Sequence, residues 1–237
     1  MAEPFEIKRE IELDATPDQV WAAIATGEGL AAWFMPMPMD PGGDMVRVWE
    51  PGRHLAIETP PGDDGSANNF EYLIEGRDGG YAVLRFVHSG FLGDDWGDEF
   101  ETMTGFGWDM YLFTLAQYLR HFPDRPATYI EAEGPAASAS ADAWPVLLDA
   151  LGQGAALDVG STITIDLGAA GLVAGEVDYV KESFIGLRTA DALVRFHGRW
   201  RIGMTIAVSH HAYGIADAGE LTKAWTGWLD EELAEVG

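Results

Sequence analysis

Residues 105–122 carry the pattern that most narrows the folds open to this chain. Trp108, Leu112, Leu115, Leu119 and Phe122 recur at steps of four and three, which lines them along one face of an α-helix, and Pro123 ends the run. Such a helix is on the order of 27 Å long. What precedes it is a series of short strand-like segments, so its apolar stripe must be buried against a sheet. Strands closed by a helix make an α+β fold.

The first strand is marked by alternation. Phe5, Ile7, Ile11 and Leu13 share one face of residues 5–13, and Glu6, Lys8, Glu10 and Glu12 share the other. Arg9 sits on the apolar face, where a charge is costly unless paired. Thr16, Pro17 and Gln19 predict a capped helix start, with Val20, Trp21 and Ile24 as its stripe and Gly27 and Gly29 as its stop. Leu30, Trp33 and Phe34 fall on a short second turn. Met35-Pro36-Met37-Pro38-Met39 and Pro41-Gly42-Gly43 form an apolar loop in which the prolines forbid regular helix. Strand-like stretches follow at 44–49, 53–58, 69–76 and 81–88. The last two read as an antiparallel hairpin across Gly79-Gly80. Residues 94–101 are acidic but lack the calcium-loop spacing of the EF-hand, and read as a solvated loop.

Small residues with Pro and Gly at 132–142 predict a linker, giving domains at 1–131 and 143–237. Residues 143–151 look helical, with Trp144, Leu147, Leu148 and Leu151. Strands are expected at 161–167, 172–180, 183–189, 192–198 and 200–209, the last from the alternation of Ile202, Met204, Ile206 and Val208. A final helix spans about 218–234, capped by Asp217, with Glu220 three residues on. The two halves share the rhythm of helix, strands and long helix. Two explanations stand open: a degenerate tandem repeat, or an unrelated α+β appendage.

Charge excludes some partners. Thirty-nine acidic residues face fourteen basic ones, a net charge of −25, which repels nucleic-acid phosphates and anionic lipid. With no cysteine there is no disulfide, thiolate metal site or cysteine nucleophile. No apolar run approaches the roughly 20 residues of a membrane span, and the acidic N-terminus has no signal-peptide core. A cytoplasmic protein is expected.

Five separated motifs in the first half form a recognisable order. They are Ala15-Thr16-Pro17 with Val20-Trp21, then Trp33-Phe34, Pro41-Gly42-Gly43, His88-Ser89-Gly90-Phe91, and Gly107-Trp108 leading into Leu112, Leu115 and Leu119. Residues 5–122 thereby resemble the START-like helix-grip superfamily, also called SRPBCC, in the branch related to the activator of the heat-shock-protein-90 ATPase. The resemblance implies a seven-stranded antiparallel sheet gripping a long C-terminal helix, with an apolar cavity between them. The chain departs from that pattern in two places. Residues 43–68 look short for two full strands, and the last hundred residues lie outside the pattern.

The residues expected at such a cavity fall in three groups. Arg9 either anchors a ligand carboxylate, pairs with a carboxylate such as Glu71, or snorkels near a rim. Trp33, Phe34, Met35, Met37 and Met39 make an adaptable rim or pack as core and lid. Phe86, His88, Trp108, Tyr111, Leu112 and Leu115 line the sheet–helix space. His88 reads as a structural histidine at a turn, because no nucleophile or acid partner stands at recognisable spacing. His210 and His211 point to opposite faces of a strand, so they do not easily share a metal, although His197 could join one of them. No cofactor, metal or catalytic residue is expected. Three functions remain: a non-enzymatic binder of a hydrophobic or amphipathic small molecule, a co-chaperone-like protein–protein module whose C-terminal half is the partner surface, and a cyclase- or hydrolase-type enzyme.

Overall fold

The computed structural model describes residues 3–62, 66–92, 100–152, 154 and 156–236. They fall into two compact units, Met1–Pro126 and Ala127–Gly237.

In the first unit, strand β1 (Glu3–Leu13) leads into helices α1 (Pro17–Ala25) and α2 (Gly27–Ala31). Both halves of the expected capping box form: the Thr16 side chain accepts from the Gln19 backbone N–H, and the Gln19 side chain accepts from the Thr16 backbone N–H. Strands β2 (Val46–Glu50), β3 (His54–Glu58), β4 (Ala67–Arg77) and β5 (Tyr81–Leu92) follow, and helix α3 (Phe100–His121) closes the unit. The sheet is antiparallel in the order β1-β5-β4-β3-β2, so the first strand lies beside the last. Gly79 and Gly80 carry the hairpin between β4 and β5 at φ of 88° and 87°, angles that side chains with a Cβ rarely adopt. Among the described residues five strands stand where the resemblance implied seven, although the short stretch 46–58 does hold two of them. Residues 94–99 of the expected acidic loop lie outside the described residues, while Phe100 and Glu101 already belong to α3.

The second unit repeats this order with one more strand. β6 (Thr128–Glu133), α4 (Ala143–Gly152), β7 (Thr162–Asp166), β8 (Leu172–Lys181), β9 (Phe184–Arg188), β10 (Ala192–His197), β11 (Ala207–Ala212) and α5 (Ala218–Glu232) follow in turn. The sheet order is β6-β11-β10-β9-β8-β7, again with the first strand beside the last. One face carries Ile130, Val177, Leu187, Val194 and Phe196, which pack with Leu147 of α4 and Trp225 and Leu229 of α5. Asp217 caps α5 by accepting from the Glu220 N–H at 3.0 Å.

Two expectations for this half need correction. The stretch 132–142 begins with the end of β6 and continues into a 3₁₀ turn at Ala136–Ser138, so the boundary falls before it, at Pro126. Backbone pairing with β11 holds these residues to the sheet. The alternation at 200–209 is also not one strand. Trp200–Ile202 is a 3₁₀ turn, Gly203 is left-handed at φ 69°, and Ile202 and Met204 are exposed.

Candidate functional site

Helix α3 lies on the sheet face that bears Phe5, Ile7 and Arg9 of β1 and Phe86 and His88 of β5. The contact centres on Trp108. Its ring sits 4.2 Å from Phe86 and 5.5 Å from Phe34, and its indole N–H donates to Nδ1 of His88 at 2.9 Å. On the far side of the imidazole, Nε2 lies 2.9 Å from Oδ1 of Asn68. Since Nδ1 accepts, the neutral ring carries its proton on Nε2 and donates it to Asn68. Phe70 stacks on the same ring at 4.4 Å and Phe5 meets its edge at 4.9 Å. Burial pushes the His88 pKa down to about 4. Both ring nitrogens are occupied and the ring is 4% exposed, which leaves His88 a structural role.

Several of the residues expected to line a cavity here also meet one another. Tyr111 packs edge-on against Phe34 at 4.6 Å, and Leu112 and Leu115 are buried in the core. Trp33 is wholly buried, and its indole N–H donates to the Ala23 carbonyl at 3.0 Å, fixing the end of α1 rather than a rim. Met35 is exposed, and Met37 and Met39 are half-buried in a segment without regular structure. Arg9 pairs with Asp109 of α3, not with Glu71, and its guanidinium also donates to the carbonyls of Lys8 and Gly105. Glu71 is held by His54 at 2.8 Å. A hollow of about 290 Å³ opens beside Arg9, between Lys8 of β1 and Glu101, Thr102 and Gly105 of α3.

The second unit contains the same hydrogen bond. Trp225 of α5 donates its indole N–H to Nδ1 of His210 on β11 at 3.1 Å. The register matches as well: Ile7 of β1 stands opposite His88, and Ile130 of β6 stands opposite His210. Burial again pushes the histidine pKa down to about 4, with the Asp191 carboxylate opposing the shift. His197 and His211 lie on the other sheet face, where His197 meets the Ser209 hydroxyl at 3.0 Å. On that face Arg195 makes a buried bidentate pair with Asp178 at 2.9 and 3.1 Å.

What differs is the surroundings of the imidazole. Phe70 opposite His88 becomes Val194 opposite His210. Asn68, opposite Gly90, becomes Ala192, opposite Ala212; Phe5, also opposite Gly90, becomes Thr128. Each replacement is smaller. A pocket of about 290 Å³ lies here, with His210 in its wall. Val173, Ala174, Ala192, Ala212, Ile215 and Leu221 supply apolar lining, and Thr189 and Asp191 stand beside it. No described residue accepts a hydrogen bond from Nε2 of His210. A broader hollow of about 710 Å³, lined by Asp149, Asp166, Glu231, Glu232 and Trp228, has an acidic wall.

His210, Trp225 and Ala192 were not among the residues expected at a site. Their signal was present in the chain: each half has a histidine late in its last strand and a tryptophan about two turns into its terminal helix.

No family model and no curated protein matches the chain. Several solved structures are similar to it. The Aha1 dimer from Colwellia psychrerythraea shares 17% identity over 48% of this chain and 96% of its own, with a TM-score of 0.40. DynU16, from the dynemicin biosynthetic locus, shares 17% over 97% of this chain and 96% of its own, at 0.42. CalU16 from Micromonospora echinospora shares 20% over 52% of this chain and 86% of its own, at 0.37. Likeness at this distance brings no ligand, activity or partner with it. Among the described residues no helix is long and apolar enough to cross a membrane.

Proposed function

We propose that this protein is a non-enzymatic binder of a small, largely apolar molecule, and that the second unit holds it. The observation that carries this reading is the pocket of about 290 Å³, with mixed apolar and polar walls, that opens at His210, where the first unit has aromatic rings around His88. Pockets that take small ligands combine apolar walls with a few placed polar groups, and this one has that make-up. Removing the ligand's apolar surface from water drives binding at roughly 25 cal/mol per Å² before the costs of association. The shared strand order and the matched His–Trp bonds support reading the second unit as a diverged copy of the first.

The test is direct. Protein purified without detergent, sprayed under native conditions, should carry a co-purifying small molecule. A thermal-shift panel of fatty acids, flavonoids and small aromatic ketones should raise the melting temperature, because a ligand that binds only the folded state stabilises it. A bare protein mass together with a flat panel would remove the reading.

A further inference from the structure

The first unit shows what a satisfied version of this histidine looks like. Nδ1 of His88 takes the indole N–H of Trp108, and Nε2 gives its proton to the Asn68 side chain. His210 has the first bond and lacks the second. At the strand position of Asn68 stands Ala192, whose methyl group accepts nothing, and the space an amide would fill belongs to the pocket. His210 is 5% exposed and lines this hollow, so its Nε2–H is a donor reached from the pocket rather than sealed from solvent. A ligand that enters can bring it an acceptor.

Resting on the binding reading above, we infer that this pocket takes an uncharged, compact apolar molecule through a carbonyl oxygen that accepts the Nε2–H of His210. The charge preference comes from Asp191, which lines the pocket and is held by Thr189 at 3.1 Å; a carboxylate on the ligand would meet it unfavourably. The size comes from the volume, at the lower edge of the roughly 300–1,000 Å³ that drug-sized ligands occupy. The carbonyl comes from the histidine, since a donor with no acceptor of its own selects ligands that bring one.

The probe is 1-tetralone, with tetralin as the same bicyclic body lacking the carbonyl and 1-naphthoate as an anionic counterpart. Calorimetric titration of the full chain should show 1-tetralone binding about tenfold more tightly than tetralin, the effect of one buried hydrogen bond. 1-Naphthoate should bind more weakly than 1-tetralone. Ala192→Asn supplies the amide seen in the first unit and should abolish binding while keeping or raising thermal stability. In the unaltered protein the ¹⁵N resonance of His210 Nε2 should move with 1-tetralone and stay with tetralin, a readout that needs no variant to fold. Equal affinity in Ala192→Asn with an unmoved His210 resonance would place the molecule elsewhere and overturn the site, leaving the general binding reading intact. Tetralin or 1-naphthoate binding as tightly as 1-tetralone would overturn the ligand class. Silence of these probes and of the whole thermal-shift panel would remove the binding reading itself.

Discussion

Trp225 donates its indole N–H to Nδ1 of His210 across 3.1 Å, and this bond decides which ring nitrogen is left to face the pocket. Trp108 does the same for His88, so one device serves both units. Replacing Trp225 with Phe keeps a ring in the core but removes the donor. Loss of a buried hydrogen bond that leaves its partner unmet costs about 1–3 kcal/mol. Chemical denaturation of Trp225→Phe should show a loss of that order, and the His210 ¹⁵N shifts should reveal a mixture of tautomers. An unchanged midpoint with a single tautomer would mean that the indole bond does not set the ring.

Acid should destabilise the protein early. Burial holds His88 and His210 down to about 4 and His197 to about 3, the last helped by the charges of Arg199, Arg195 and His211. The unfolded chain binds a proton at each near pH 6.5, and the folded chain does not. The stability from keeping these rings neutral is therefore complete above pH 6.5 and falls as the pH drops toward 4. Each ring adds about 1.4 kcal/mol per pH unit in that window. Ring resonances followed by NMR should stay neutral at pH 5 while the urea midpoint drops. Rings that titrate near 6.5 without loss of stability would contradict this.

The Arg9–Asp109 pair joins β1 to α3 at a half-buried site, with side-chain exposures of 34% and 20%. Pairs of this exposure are worth little individually, and about 1 kcal/mol is expected here. A double-mutant cycle over Arg9→Leu and Asp109→Leu, read by denaturant unfolding, should return a coupling of that size. A coupling of zero would assign Arg9 to simple coverage of apolar surface by its stem.

Arg195 and Asp178 are a different case, at 1% and 6% exposed. Removing one partner strands a buried charge, so Asp178→Ala should cost about 3–5 kcal/mol. Gly186 makes room for the pair: a Cβ there would stand 2.4 Å from Asp178 Oδ1 and 2.7 Å from the Arg195 guanidinium. Gly186→Ala should destabilise through the same bond. Thermal unfolding of the two single variants and the double variant checks this, because the effects should fall well short of additive.

Segments with short-range periodicity were legible in the chain by itself. Alternation at 5–13, the Thr16–Gln19 capping box, the Gly79-Gly80 hairpin, and the stripes of α3 and α5 each follow from neighbours within about one helical turn or two strand steps. Strand β6 was missed because its six residues run straight into Gly134-Pro135, and linker-like composition outweighed a short alternation. Tertiary structure decided everything that depends on partners far apart in sequence. Arg9 chose Asp109, one hundred residues away, over Glu71. His88 found Asn68 and Trp108, each twenty residues distant on either side, while His210 found Trp225 alone among the described residues. Whether a sheet–helix gap is filled or open turns on which side chains meet across strands, Phe70 or Val194, Asn68 or Ala192. That is a matter of register and volume, which local pattern does not encode.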